Sequence, residues 1–220
     1  NDDEKVLHPA LTQPNGCVGC HDPHRSNESS LLKMPLVALC TSCHKDKGQN
    51  VKSSHAPLAS ARACLSCHLP HSAPQAKMLE TKSTALCMSC HNKPIEITEN
   101  GKTHVIPDMK TKMANSPFKH SAAMGEDGCV ACHNPHGSQN DRLLSESYPA
   151  GKVYAKYVAG DTTTTNTYAL CIQCHGEAML DRTTLNDTNF RNDVQTPSGI
   201  VSKNLHWFHV VDATGSPYKE

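Results

Sequence analysis

The sequence predicts a mostly irregular fold with short helices, organised as three tandem repeats. Three observations lead to this prediction. All twelve cysteines fall in one short motif that occurs six times in the 220 residues. These motifs recur in pairs at regular spacing. Only 37% of the residues are hydrophobic and 4% are aromatic, which is little material for a side-chain core of this size. We therefore expect regular secondary structure below its usual proportions.

The repeated motif is Cys-x-x-Cys-His, the attachment signature of c-type haem. Its two thiols form thioethers to the porphyrin, and the adjacent histidine is an axial iron ligand. We predict six haem c groups, numbered I to VI along the chain, whose rings supply the core. The predicted thioether positions are Cys17, Cys20, Cys40, Cys43, Cys64, Cys67, Cys87, Cys90, Cys129, Cys132, Cys171 and Cys174. The predicted proximal ligands are His21, His44, His68, His91, His133 and His175.

Zinc knuckles and disulfides are the alternative interpretations of so many cysteines. Six Cys-x-x-Cys pairs could form three four-cysteine zinc sites, but the histidine that follows each pair would then have no role. A disulfide framework gives no reason for that histidine either. A redox-active Cys-x-x-Cys needs a thioredoxin-like βαβ context, and the sequence has none. Haem attachment accounts for every cysteine and for the histidines beside them.

Three repeats of two motifs make up most of the chain. We place them at about 8–48, 55–95 and 120–180 within one hexahaem domain spanning 1–220, with a C-terminal extension at 183–220. Each repeat has a histidine nine residues before its first cysteine, and its first motif continues as His-x-Pro-His. The first cysteines of the paired motifs are 23 residues apart in the first two repeats and 42 apart in the third. The third repeat therefore carries an insert.

That insert predicts a small β-hairpin near 152–168. β-Branched and aromatic residues at 153–158 are followed by Gly160-Asp161, a turn signal. The hairpin would be an exposed decoration or, alternatively, an edge for subunit contact. A second segment, Asn92–Lys119, reads as a linker between repeats II and III and carries His104.

Nine histidines lie outside the motifs, and six of them recur at fixed repeat positions. Six bis-histidine haems need six further ligands, so the count closes and predicts low-spin irons without an open position. The seven methionines do not recur at one repeat position, which favours packing roles for them. The predicted distal ligands are His8, His24, His55, His71, His120 and His136, with His104, His206 and His209 as alternates.

The spacing also bears on which haem each distal histidine serves. His24 lies three residues after His21, too few to pass round a porphyrin edge. We therefore expect His24 to serve haem II of its own repeat, and the same rule for His71 and His136. A histidine nine residues upstream could serve its own repeat or the preceding one. In the second case His8 would be left for a haem of a neighbouring subunit. The C-terminal His206 or His209 would cap the last haem, or their segment is a remnant of a further repeat.

The charge of the chain and its first residues indicate the compartment and the kinds of partner. The formal net charge of zero omits up to twelve haem propionates, so we expect an acidic holoprotein. There is no basic footprint for nucleic acid and no apolar run of membrane-spanning length. The first residues, Asn1-Asp2-Asp3, are typical of a processed mature form. Since c-type haem is attached outside the cytoplasmic membrane, we expect an exported protein, most simply extracellular or at the cell surface and otherwise periplasmic.

These motifs resemble the doubled Cys-x-x-Cys-His multihaem cytochromes over about residues 8–44, 55–91 and 120–175. The resemblance implies a secreted or outer-surface electron carrier, as found in metal-respiring bacteria and archaea. Some members of that group form extracellular filaments in which a histidine of one subunit ligates a haem of the next. Self-association of this kind is therefore an expectation here.

The sequence predicts electron transfer through six bis-histidine haems, with delivery to extracellular acceptors. Redox-partner cytochromes and extracellular acceptors are the expected partners, and a filament subunit is the structural form of this hypothesis. The alternative is a multihaem reductase of nitrite, hydroxylamine or a sulfur oxyanion, which needs an iron with a vacant site. All six motifs end in histidine, so we expect an electron carrier rather than an enzyme, with outer-sphere metal reduction left open.

Overall fold

The computed structural model describes residues 5–99, 102–148, 158, 167–181 and 190–211. The chain divides into two compact units, Asn1–Gly137 and Ser138–Glu220. The division falls inside repeat III, between its two motifs. The assignment of all 220 residues to one domain stays a prediction. The hairpin predicted near 152–168 lies almost entirely outside the described residues.

Regular structure is sparse, as predicted, and its elements are short. The helices are α1 (Leu36–Cys43), α2 (Ser83–Cys90), α3 (Met109–Asn115), α4 (Ser121–Met124) and α5 (Ala169–His175). The strands are β1 (Val6–Leu7), β2 (Ser72–Ala73), β3 (Ile95–Glu99), β4 (Lys102–Ile106), β5 (Arg191–Thr196) and β6 (Gly199–Asn204). Short 3-10 turns and coil connect them.

The two motifs of a repeat lie on different elements. The first cysteine of each repeat lies in a 3-10 turn, at Gly16–Gly19, Ala63–Ser66 and Gly128–Ala131. The second motif lies on an α-helix, namely α1, α2 and α5. The same division in all three repeats confirms the tandem organisation that the spacing predicts.

Repeats I and II are joined by a short antiparallel pair. Strand β1, just before His8, pairs with β2, just after His71, with Val6 opposite Ala73 and Leu7 opposite Ser72. The backbone N–H of His8 donates to the His71 carbonyl at 3.1 Å. Ala73 is fully buried at this junction. The start of one repeat is therefore held against the His-x-Pro-His segment of the next.

The segment expected to be a linker contains its own structure. Strands β3 and β4 form an antiparallel hairpin in which Ile97 lies opposite His104. Helix α3 follows, and the Asp108 carboxylate caps it by accepting from the Thr111 backbone N–H at 2.9 Å. The backbone N–H of Met109 also donates to the His91 carbonyl, which ties this segment to the second motif of repeat II.

The second compact unit has a small side-chain core. Tyr168, Met179 and Leu180 are buried together, with Ile172 and Val211 packed against them. The fully buried Asn204 donates from its side-chain amide to the carbonyls of Met179 and Asp181, at 2.7 and 2.9 Å. These bonds hold the β5–β6 hairpin (Val194 opposite Val201) against the turn after α5.

No helix in the described ranges is long and apolar enough to cross a membrane.

Candidate haem sites

Each Cys-x-x-Cys-His motif of repeats I and II closes one helical turn. The histidine backbone N–H donates to the carbonyl of the first cysteine, at 3.0 Å for His21, 2.9 Å for His44, 3.1 Å for His68 and 3.0 Å for His91. His133 closes its motif in the same way at 3.0 Å. Positions i, i+3 and i+4 of a helical turn share one face. Both thiols and the imidazole can therefore meet one flat ligand.

The residue before the first cysteine has a left-handed backbone in every repeat: Gly16 (φ 37°), Ala63 (φ 40°) and Gly128 (φ 52°). This conformation starts the turn that carries the thiols. At Gly128 a glycine is also required by space, because a Cβ would lie 2.2 Å from Oγ1 of Thr84 on α2. Helix α2 therefore packs directly against the first motif of repeat III.

Four motif histidines face a histidine from outside the motifs. The ring centroids are 6.2 Å apart for His8 and His44, and 5.9 Å apart for His21 and His71. They are 6.4 Å apart for His55 and His91, and 5.9 Å apart for His68 and His136. Every pair joins one predicted proximal ligand to one predicted distal ligand.

These separations match a metal held between two imidazoles. Imidazole nitrogens bind transition metals at about 2 Å, so two such bonds and the two ring radii place the centroids about 6 Å apart. The centroids of ordinary aromatic pairs lie about 4.5–7 Å apart, so the distance alone does not distinguish axial ligation from ring packing. The narrow spread and the constant partnering of motif with non-motif histidines favour axial ligation.

The pairs follow a register that the spacing did not reveal. The upstream histidine faces the second motif of its own repeat, as His8 faces His44 and His55 faces His91. The His-x-Pro-His histidine faces the first motif of the preceding repeat, as His71 faces His21.

The expectation that His-x-Pro-His histidines serve the second haem of their own repeat is therefore wrong for His71 and His136, which face His21 and His68. In repeat I we expected His24 beside His44 of the second motif, and the ring found there is that of His8. The expectation that His8 would be left for another subunit does not apply either, because its ring lies beside a motif of its own repeat.

Backbone contacts between repeats set this register. The β1–β2 pair fixes His8 and His71 beside each other. At the next junction the His55 ring donates to the Pro135 carbonyl. Gly137, with φ 116°, lets Val51 approach so closely that a Cβ would lie 2.8 Å from it. His136 is thereby brought beside repeat II.

The proximal rings of haems I and III are oriented by backbone carbonyls. His21 donates from Nδ1 to the Ser30 carbonyl at 2.8 Å, and His68 donates from Nδ1 to the Lys77 carbonyl at 2.9 Å. A carbonyl only accepts, so Nδ1 carries the proton and Nε2 remains for a metal. Both rings thus have the tautomer that an axial ligand needs.

The surroundings of three distal histidines lower the pKa of the imidazole. Burial lowers the pKa of His8, and the neighbouring His44 and His71 lower it further. Burial and His91 lower the pKa of His55 against the opposing effect of its bond to Pro135. Burial and His68 lower the pKa of His136. The neutral imidazole is the form that binds iron.

Thiols of successive motifs lie close together. Burial, with the adjacent Cys64 thiol second, raises the pKa of Cys40 to about 11, and Cys20 contributes. Burial, with Cys129 second, raises the pKa of Cys87 to about 11, and Cys67 contributes. These contacts link the first five motifs in chain order, because each joins a motif to the next one. The attachment edges of neighbouring porphyrins would therefore meet.

The other predicted ligands occupy varied positions. His24 is exposed, and its backbone N–H donates to the Asp22 carboxylate. His104 is exposed on β4. His120 is the residue before α4, and His175 is the last residue of α5. The ring of His206 packs edge-on against Phe190 with centroids 5.0 Å apart. The side chain of His209 is outside those described.

The residues fit haem better than the alternative metals or cross-links. None of the twelve cysteines forms a disulfide, so the chain has no disulfide framework. Within the described ranges no three His, Cys, Asp or Glu side chains gather as ligands of a bare metal ion. In each pair two imidazoles lie on opposite sides of a gap, and a pair of thiols lies beside them on one helical turn. This arrangement suits a flat group whose iron takes two axial ligands.

The comparison with protein families decides the identity of these repeats. A family model described as the doubled CXXCH motif matches residues 8–49, 55–96 and 120–180, which is more than half of the chain. The chain belongs to this family. It is a multihaem c-type cytochrome, which binds haem covalently through its motifs and transfers electrons. None of the curated proteins compared with this cytochrome matches it.

Proposed function

We propose that this cytochrome conducts electrons along a row of six bis-histidine haems to acceptors outside the cell. The observation that carries the proposal is the set of four imidazole pairs at 5.9–6.4 Å, each joining a motif histidine to a distal one. A haem with two protein ligands has no site for a substrate. It can still exchange electrons through its edge, which suits a relay rather than a reductase.

The small side-chain core supports six haems as the interior. The buried hydrophobic residues in the described ranges are Ala63, Ala73, Tyr168, Met179 and Leu180. Two of these are alanines, and the other three lie together in the second compact unit. Apolar side chains near the motifs are exposed in the polypeptide alone, including Val18 at 46% and Val37 at 47%. Porphyrin faces would cover such surfaces.

The remaining candidate ligands are His120, His206 and His209 of the same chain and His24 of a second copy. Close thiols join the first five motifs in chain order, which supports the passage of electrons from motif to motif along the chain.

Self-association follows from the same register. His24 occupies the repeat position of His71 and His136, whose partners lie in the preceding repeat. The exposed His24 ring, in contrast, forms no ring pair within the described ranges. We propose that His24 approaches a haem of a second copy. Such a head-to-tail contact builds an open filament when the rotation between copies does not close into a ring, and we propose the open form.

We also propose that the protein is exported, because c-type haem is attached outside the cytoplasmic membrane. A surface or extracellular site suits a carrier whose row of haems ends at an insoluble acceptor. The periplasm is the second choice.

Haem number and ligation test the relay directly. The purified holoprotein should carry six covalent haems by mass, and its ferric form should give low-spin resonance spectra for all of them. Carbon monoxide should not bind rapidly to the reduced protein, because no iron is open. Rapid carbon monoxide binding by one haem, together with turnover of nitrite or hydroxylamine, would support a reductase instead.

Electron microscopy of native material tests self-association. We expect filaments from the unaltered chain and shorter particles from His24→Ala. His104→Ala is the matched control, since His104 is also exposed but lies on the β3–β4 hairpin. Filaments of equal length from all three proteins would exclude His24 as the contact between copies, and particles of one chain only from all three would exclude the filament.

A further inference from the structure

The loop after each first motif contains two consecutive non-glycine residues with left-handed backbone. These are Ser30 (φ 56°) and Leu31 (φ 57°) in repeat I, and Lys77 (φ 58°) and Met78 (φ 59°) in repeat II. Repeat III has the same angles at Arg142 and Leu143. Such residues are strained, and they persist where the surrounding structure fixes them. Three occurrences at one repeat position indicate a function.

Backbone bonds to the motif hold the loop on both sides. In repeat I the Asp22 N–H donates to the Leu31 carbonyl at 2.8 Å, and the Lys33 N–H donates to the Cys20 carbonyl at 3.0 Å. In repeat II the Leu69 N–H donates to the Met78 carbonyl at 2.9 Å, and the Glu80 N–H to the Cys67 carbonyl at 3.1 Å. The left-handed step within this ladder is what turns one carbonyl toward the motif histidine.

The carbonyls so turned are those of Ser30 and Lys77, which accept from Nδ1 of His21 and His68 at 2.8 and 2.9 Å. The second motifs differ. His44 and His91 follow α-helices, and within the described part of the chain neither Nδ1 donates to a protein carbonyl. An axial histidine therefore does not need this bond in order to face its partner, and the strained loop serves something else.

We propose that the left-handed loops at Ser30–Leu31 and Lys77–Met78 are positioning elements that lower the reduction potentials of haems I and III. The proposal rests on the haem occupancy proposed above. A fixed acceptor at Nδ1 makes the imidazole a stronger donor to iron, and stronger donation favours the ferric state. Each haem exchanges one electron with its neighbour, between ferric and ferrous iron, and no proton or further reactant takes part.

A series of substitutions at Ser30 tests this in the holoprotein. Glycine keeps the left-handed backbone, valine disfavours it and proline forbids it. The potential of haem I, followed by haem-resolved NMR during redox titration, should be unchanged in Ser30→Gly and higher in Ser30→Val and Ser30→Pro. Ser29→Val is the control, because Ser29 is outside the left-handed region. The other haems in the same sample are internal references.

Repeat II offers a comparison free of any change in charge. Lys77→Gly and Lys77→Val both remove the ammonium group, so the difference between their haem III potentials isolates the backbone effect. We expect a higher potential in the valine variant, together with faster exchange of the His68 Nδ1 proton. If the loop had a structural role only, the substitutions would change the stability and would leave the haem III potential and the exchange of the His68 Nδ1 proton unchanged.

The outcomes separate this inference from the proposed function. Six low-spin haems with equal haem III potentials in the glycine and valine variants at Lys77 would overturn the role of the loop alone. Loss of haem from the unaltered protein would overturn the relay itself. If Ser30→Pro fails to fold, the Ser30→Val and Lys77→Val comparisons still decide.

Discussion

The ring of His8 lies opposite the ring of His44, with centroids 6.2 Å apart, although 35 residues of chain separate them. The same segment pairs through β1 with the strand that follows His71. One short stretch thus places the His8 ring beside a motif of its own repeat and forms the contact with the next repeat.

Replacing His8 should open haem II alone. In His8→Ala the ferric iron of haem II loses one imidazole, so one of the six haems should become high-spin and bind carbon monoxide when reduced. Haem-resolved NMR checks which one changes. His104→Ala should leave every haem low-spin. A changed haem I with haem II intact would contradict the register.

Replacing His71 should open haem I, because its ring lies 5.9 Å from that of His21. The affected haem is attached to repeat I although the substitution lies in repeat II. The carbon monoxide difference spectrum, assigned by NMR, should therefore locate the open site at Cys17 and Cys20. An open haem IV would restore the rule that each His-x-Pro-His histidine serves its own repeat.

Alanine at Gly128 should destabilise the holoprotein by about 2–4 kcal/mol, combining backbone strain and a clash. The φ of 52° disfavours any Cβ, and that Cβ would meet Thr84 Oγ1 at 2.2 Å. Gly16 separates the two effects, because it occupies the same repeat position with φ 37° and its Cβ position has only an ordinary contact, with the Leu11 carbonyl oxygen at 3.5 Å. Gly16→Ala should cost only about 1–2 kcal/mol in denaturant unfolding. Equal losses at the two sites would show that Thr84 moves aside freely.

Stability should fall as the pH drops below about 6.5. His8, His55 and His136 have pKa values lowered from the usual 6.5, chiefly by burial. In the unfolded chain these groups bind protons at higher pH than in the folded one. Their contribution is therefore complete above 6.5 and is lost as the pH falls toward the lower folded values. Bound iron shifts that loss further down, because it competes with the proton.

Denaturant unfolding at a series of pH values measures this dependence, with the low-spin absorbance as a second probe. Both should decline together on acidification and stay level just above neutrality. A rise in the free energy of unfolding as the pH falls from about 7 to about 5 would contradict the assigned direction.

The motif spacing was enough to predict the repeats, and the low hydrophobic and aromatic content was enough to predict the scarcity of regular structure. Each motif is a local unit of five residues, so sequence alone determines its turn. The expectation that His71 does not serve its own first haem agrees with the position of its ring beside His21.

The partner of each distal histidine depends on contacts that leave almost no sequence signal. Strands β1 and β2 have two residues each, too short for an alternating pattern to show. The position of His136 depends partly on Gly137, because a glycine there leaves space for Val51. This dependence is not visible in the motifs. From spacing alone, a histidine nine residues before the first cysteine could serve its own repeat or the preceding one.

The β3–β4 hairpin was missed although a signal existed. Asn100-Gly101 stands between the two strands, and Asn-Gly between apolar alternating runs is a strong hairpin indicator. The β5–β6 hairpin, in the C-terminal extension, turns at Pro197-Ser198 and was likewise not predicted.

An experimental structure of the assembled holoprotein with its iron ligands resolved tests the central claim most directly. We expect iron between His21 and His71 in haem I and between His44 and His8 in haem II, with His68–His136 and His91–His55 following the same rule. Haem II ligated by His24, or an iron in this row with one protein ligand only, would contradict it.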